Sequence, residues 1–513
     1  MTLPPLIRAL LDPAAYPEPA AKVVLRQTHI SYLFFTPRFV YKVKKPVNFG
    51  FLDFSTLKKR RHYCEEELRL NRRGAPEVYL EVVGIGFEKG RAIIGAKRPV
   101  EYAVKMRRLK PSTMLEQAIK DGTVTDAMIK KTGVAIAAFH ESAATGRHIS
   151  GFGSVRVIGR NADENFSQTM PFVGRCITAR NYRTIKSYTN DFLLNNKTLL
   201  SSRVRDGFIR EGHGDIHAEH VSFSGGRLSI IDCIEFNERF RFADTISDIA
   251  FLSMDLDYLN RHDLSKIVEA AYLKRSRDKN GSELLNFYKC YRAYVRGKVS
   301  AFKSKESEVG IEERHAAWID ARVHFNLSGL YASGGFRPKA VLVRGLSGTG
   351  KTHLASSLAN AANFKRISSD EARKDLAGIP ALMRVKAAFG RGIYSERFTE
   401  KTYVAMIKKA GEYLRQGRSV ILDATFAKSS FIEAAKEACK VASFHIIECV
   451  ADDETIKKHL LKRSSEQSSS DADWRIYQRQ KGSFEQTSMP RIVIPANRPL
   501  CRNIKMAIGK IFD

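Results

Sequence analysis

The segment Gly345-Leu-Ser-Gly-Thr-Gly-Lys-Thr352 restricts this chain more than any other, because the spacing G-x-x-x-x-G-K-[ST] works only between a strand and a helix. Its glycines let the main chain curl, so that amides of Gly345, Ser347, Gly348, Thr349 and Gly350 wrap one polyphosphate. Lys351 then reaches the terminal phosphates, and the Thr352 hydroxyl is placed as a ligand of Mg²⁺. The apolar run Ala340-Val-Leu-Val-Arg344 predicts the strand before the loop, and a helix is predicted from Lys351. A second strand, Ser419-Val-Ile-Leu422, leads into Asp423, the candidate carboxylate for the same metal. With Phe444–Val450 and the helical sequence between, these runs predict an α/β fold with a parallel sheet.

Between the two strands, Asp370 and Arg373 share the first turn of a predicted helix. The carboxylate could accept a hydroxyl proton, and the arginine could grip a phosphate. An N-cap aspartate with a surface arginine fits the same residues, and the residues alone leave both readings open.

The other end of the chain reads differently. Val23–Phe35 and Arg38–Lys44 alternate β-branched or aromatic with polar residues around a Thr-Pro turn, which predicts paired strands. A helix is predicted over Ser55–Arg73, then strands near Val78–Ile85, Arg91–Gly95 and Tyr102–Met106. Beyond Asp126 the pattern is mostly helical, including Val134–Ala144, Tyr188–Leu200 and Asp263–Lys303. A sheet-rich lobe followed by a helical lobe, an α+β arrangement, implies a cleft. Ser333-Gly-Gly-Phe-Arg-Pro338 carries the chemistry of a boundary, so the expected domains are 1–332 and 339–513, joined by 333–338.

In the N-terminal half, Gly212-His-Gly-Asp215-Ile-His-Ala-Glu-His220 is followed by an apolar strand ending at Asp232. A loop aspartate and then a strand-end aspartate is how protein-kinase-like enzymes supply a base and a Mg²⁺ ligand, here Asp215 and Asp232.

Two resemblances follow. Residues from about 336 to 513 resemble the P-loop small-molecule and polynucleotide kinases of the AAA-like group, through GLSGTGKT, the D-x-x-R of Asp370 and Arg373, and ILDATF at Ile421–Phe426. That resemblance implies Asp370 as general base, Arg373 on the substrate phosphate, and a lid arginine. Arg463 is the candidate for the lid, with Arg475 and Arg479 as alternatives. Residues from about 20 to 300 resemble the aminoglycoside phosphotransferase-like kinases, in the version fused to a P-loop kinase, through Tyr41–Phe51, Cys64–Asn71 and Ile234–Arg241. This implies Lys42 on the nucleotide phosphates, Glu67 holding Lys42, and Asp248 bracing the catalytic loop. Lys44 is the alternative to Lys42, and a solvated basic strand accommodates either lysine. His220 occupies the position of a metal-binding asparagine, a departure that bears on any second magnesium. A glycine-rich loop is replaced by Thr28-His-Ile-Ser31.

Together these readings predict a phosphotransferase using ATP and Mg²⁺ on a small-molecule hydroxyl. A regulatory ligand-binding role for the N-terminal half is the second reading. The net charge of +30 attracts polyanions, so the end of a nucleic acid is a third acceptor to consider; binding of a short single strand should then weaken steeply with salt. Seven scattered cysteines without C-x-x-C spacing favour reduced thiols over disulfides or zinc fingers. No apolar run approaches a membrane span and the first residues do not read as a secretory signal, so a cytoplasmic protein without membrane insertion is expected. Oligomeric state is not legible.

Overall fold

The computed structural model describes residues 3–380, 383, 392–464 and 474–513, the last three of the 453–464 helix by backbone alone. The chain divides into two compact units. One comprises residues 1–161, 192–255 and 264–288; the other comprises 162–191, 256–263 and 289–513.

The first unit opens on six strands, β1 (Val24–Gln27), β2 (Ser31–Phe35), β3 (Phe39–Lys44), β4 (Tyr79–Glu88), β5 (Arg91–Ile94) and β6 (Glu101–Arg107). They form one antiparallel sheet in the order β1-β2-β3-β6-β4-β5. The expected first strand is two, because the Thr28 hydroxyl accepts the N–H groups of Ile30 (3.3 Å) and Ser31 (3.0 Å) and turns the chain back on itself. Helix Leu57–Asn71 is capped by Thr56, whose Oγ1 accepts the Lys59 N–H, and it buries Cys64, Glu67 and Leu70. Two short antiparallel ladders follow, β7 (Ile209–Glu211) with β10 (Phe242–Asp244) and, as a hairpin, β8 (Val221–Ser224) with β9 (Arg227–Ile230).

The long helical stretch expected over Asp263–Lys303 is interrupted. Helices His262–Ser276 and Gly281–Lys303 are separated by Arg277, at φ 55°, and by Asp278, which is held in a buried ion pair with Arg203 at 2.6 Å. A helical residue cannot hold that φ, so the pattern of apolar positions outruns the helix.

In the second unit, β11 (Lys339–Arg344), β12 (Lys365–Ser368), β13 (Val420–Asp423), β14 (Ser443–Val450) and β15 (Ile492–Pro495) make a parallel sheet in the order β12-β13-β11-β14-β15. Alternate residues of β11 enter opposite cores: Val341 and Val343 pack with Leu354, Leu358 and Ile508, while Ala340 and Leu342 pack with Met406, Leu414 and Ile432. Burial on both faces explains why β11 and β13 read as nearly unbroken apolar runs. Helix Ile311–Ala332 contributes Val323 to the first of these cores. Among the described residues, no helix is long and apolar enough to cross a membrane. All seven cysteines are free, and six are buried.

Candidate functional site

In the second unit the loop after β11 curls as its glycines permit. Gly345, Gly348 and Gly350 hold φ values of 147°, 86° and 78°. A Cβ on Gly345 would stand 2.6 Å from the Cys449 carbonyl oxygen, so the position admits no side chain. The Thr349 hydroxyl donates to the Leu346 carbonyl at 2.7 Å and fixes the turn. Helix Lys351–Ala362 starts directly after Gly350, which aims its free amides and positive dipole end at the loop. The Ser347 N–H donates to Gln480 Oε1 at 3.0 Å, so an oxygen acceptor already lies on an amide where a phosphate oxygen would sit.

Asp423, 2% exposed, ends β13 beside this loop. The Thr352 hydroxyl donates to its Oδ1 at 3.4 Å, and Arg366 Nε donates to its Oδ2 at 3.1 Å. Burial pushes the Asp423 pKa above the ordinary carboxylate value, with Asp370 adding to the push, against the charges of Lys351 and Arg366. A hydroxyl and a carboxylate side by side are hard oxygen donors, a set that fits Mg²⁺.

Asp370 lies in the first turn of helix Ser369–Leu376, whose N-cap is Ser368. Arg373 is buried; its Nη1 donates to the Ile393 carbonyl at 2.5 Å and the Thr399 hydroxyl at 3.0 Å, and it lies over Tyr394. The alternative of a capping aspartate with a surface arginine is therefore corrected: Ser368 is the cap, and Arg373 is packed inside. The Arg463 side chain lies outside the described residues; Arg475 and Arg479 are exposed on helix Trp474–Gly482. Arg366 and Gln480 escaped the sequence reading. Arg366 lies on β12, too short and too polar to stand out, and nothing marks Gln480 as a partner of the loop.

The first unit gathers its own cluster. Lys42, on β3, places Nζ 2.7 Å from Glu67 Oε1 and 2.7 Å from Asp232 Oδ1. Lys44, two residues along and so on the same face, is fully buried, 2.7 Å from Glu67 Oε2 and also paired with Glu235. Neither lysine belongs to a solvated strand, which corrects that alternative. Burial opposes ionisation of Glu67, but the two lysines outweigh it and hold its pKa below the ordinary value. For Asp232 too burial raises the pKa, and Lys42 with His220 bring it well below the usual carboxylate range. Glu235 is pushed up by burial, opposed by Lys44 and reinforced by Glu67.

Asp248 holds the loop that carries Asp215. Its Oδ2 accepts the His213 N–H at 2.6 Å and its Oδ1 accepts the Gly214 N–H at 2.9 Å. Gly214, at φ 86°, passes so close to Phe240 that a Cβ would meet its carbonyl oxygen at 2.7 Å. His213 accepts the Asp215 N–H at Nδ1 (3.3 Å), so Nε2 donates to the Ile231 carbonyl (2.9 Å); burial drives its pKa down to about 4. Asp232 sits at φ 63°, its N–H on the Tyr79 hydroxyl at 3.1 Å. His220 lies between the two aspartates, Nδ1 3.7 Å from Asp215 Oδ2 and Nε2 3.6 Å from Asp232 Oδ2. Burial and neighbouring His217 lower its pKa, against the charges of Asp215 and Asp232. An imidazole beside Asp232 does not fit a second magnesium, which takes oxygen ligands.

Residues 341–487 match the family described as AAA domain. Proteins of Mycobacterium tuberculosis and Mycobacterium bovis are 28% identical over 451 residues, 88% of this chain and 88% of theirs. A choline/ethanolamine kinase family protein from Mesorhizobium loti covers 64% of this chain and 98% of its own at 13% identity and a TM-score of 0.38. A gluconokinase from Sinorhizobium meliloti 1021 covers 34% of this chain and 93% of its own at 17% identity and a TM-score of 0.25. Matched residues, loop geometry and sheet order agree for the second unit: residues 341–487 match an AAA domain, and a glycine loop of positive φ follows the central strand of a parallel sheet.

Proposed function

We propose that this protein is an ATP-dependent phosphotransferase whose P-loop unit moves the γ-phosphoryl group of ATP to a hydroxyl of a small molecule. The observation that supports it most is the Thr352 hydroxyl 3.4 Å from the buried Asp423 carboxylate, at the mouth of a loop whose glycines hold positive φ. Thr352 and Asp423 would hold Mg²⁺, which when bound neutralises charge on the phosphates. Lys351 orients the terminal phosphates. Asp370, close enough to Asp423 to raise its pKa, takes the hydroxyl proton as the acceptor oxygen bonds to γ-phosphorus and the bond to the β–γ bridging oxygen breaks, releasing ADP. Arg373 holds the segment 392–394 in place through the Ile393 carbonyl.

Incubation with labelled ATP and a panel of metabolites and oligonucleotides tests this reading, with a labelled small-molecule product expected. Label only on oligonucleotide ends would replace the acceptor class, and no labelled product from any acceptor would sink the proposal.

A second reading concerns the first unit alone, and the imidazole of His220 beside Asp232 favours it: this unit senses a nucleotide or ligand. Under it Asp215→Asn leaves every phosphorylated product in place; disappearance of one product in that variant assigns transfer chemistry to the first unit.

Gln480 adds an expectation. Nucleotide must displace its side chain from the Ser347 amide, and a neutral hydrogen bond is worth about 0.5–1.5 kcal/mol net. Gln480→Ala should tighten nucleotide binding by roughly 2- to 10-fold by calorimetry. Weaker binding instead would mean that Gln480 contacts the nucleotide.

A further inference from the structure

In the first unit, residues 215–220 bring one carboxylate and two imidazoles together. His217 is extended and His220 closes a short 3₁₀ turn, Ala218–His220, so the chain folds one ring onto the other. The turn is fixed at two points: the Ala218 N–H donates to Asp255 Oδ2 at 2.8 Å, and the His220 N–H donates to the His217 carbonyl at 2.9 Å. The rings of His217 and His220 consequently lie 3.8 Å apart, centroid to centroid. One potential ligand atom from each of Asp215, His217 and His220 falls within 4.8 Å of the others.

Asp215 Oδ2 is 3.6 Å from His217 Nε2, and Asp232 Oδ2 is 3.6 Å from His220 Nε2. Both separations exceed hydrogen-bond length, which ends near 3.2 Å. They are close to the edge of a tetrahedron around zinc, about 3.4 Å for bonds of about 2.0–2.1 Å. His220 Nδ1 donates to the Asp215 carbonyl oxygen at 2.8 Å, which leaves Nε2 as the nitrogen that faces the ion. Such a contact orients a ligating imidazole. Two nitrogen donors and one carboxylate select an ion of the zinc class and disfavour magnesium.

We propose that Asp215, His217 and His220 form a binding site for a nitrogen-preferring divalent ion of the zinc type, with Asp232 in reach as a further oxygen ligand. The ion engages the carboxylate that the kinase-like pattern assigns as base, so its binding competes with proton transfer at Asp215. The site does not depend on the P-loop reading.

The test uses the full chain stripped with a chelator, then titrated with Zn²⁺ in calorimetry and with Co²⁺ in the visible. One ion per chain is expected, with the cobalt spectrum of nitrogen and oxygen ligands and no sulfur-to-metal charge-transfer band. His220→Asn and His217→Gln should each weaken Zn²⁺ binding by at least about tenfold. Cys501→Ser, at the one exposed thiol, should leave it unchanged. Circular dichroism identifies any variant that fails to fold, and His220→Asn, close in size, keeps the comparison if His217→Gln does so. The proposal is overturned by no stoichiometric binding in the wild type, by unchanged affinity in a folded histidine variant, or by a sulfur charge-transfer band.

Discussion

Lys351→Ala is expected to lower ATP turnover by at least about a hundredfold, the scale of removing one preorganised charge-stabilising group from a transition state. Lys351 opens the helix that follows the glycine loop, and its charge is felt by Asp423. Its removal leaves the loop amides and the helix dipole in place, so nucleotide binding should weaken while the chemical step suffers more. Its side chain is only partly buried, so the thermal unfolding midpoint should move little. Turnover measured beside a melting curve separates the two effects. Wild-type turnover in a folded Lys351→Ala protein would remove the P-loop unit from the reaction.

The largest stability effect is expected in the first unit. Glu67 is fully buried and faces both Lys42 and Lys44, each at 2.7 Å. Glu67→Ala leaves two ammonium groups short of a counterion, and breaking such a buried pair costs about 3–5 kcal/mol. Denaturant unfolding, followed through the transition that includes this unit, checks the figure; a loss below about 1 kcal/mol would show the cluster to be solvated in solution. The pH dependence has a definite sign. The Glu67 pKa is depressed in the fold, so its contribution is present above the unfolded value of 4.5 and fades as pH falls through the lower folded value. The Lys44 pKa is raised, so its contribution is full below 10.5 and fades as pH rises through the folded value. The cluster therefore supports the fold across the neutral range and weakens at both extremes.

The apolar strand, glycine loop and helix of the second unit were legible because each rests on local rules: burial on both faces, positive φ at glycine, and amides free at a helix start. Asp423 was legible for the same reason, as the residue that ends a short apolar strand. Arg366, which reaches Asp423 across the sheet, was not, because its role depends on β12 lying beside β13. Lys42 and Lys44 illustrate the same limit. Their alternation on a strand is visible in the residues, but their depth is not, since it comes from Glu67 on a helix, and from Asp232 and Glu235, some 190 residues away.

Local sequence by itself determined the glycine loop, the two aspartate-bearing segments of the first half, and the shift from antiparallel strands to helices. Tertiary structure alone decided which charges meet: that Arg373 turns inward to a backbone carbonyl, that Gln480 reaches the Ser347 amide, and that His217 and His220 converge on one carboxylate. The physical reason is range. Dihedral preferences and hydrophobic period act over a few residues, whereas a counterion or a metal ligand is chosen by distance in space, which only the packed chain defines.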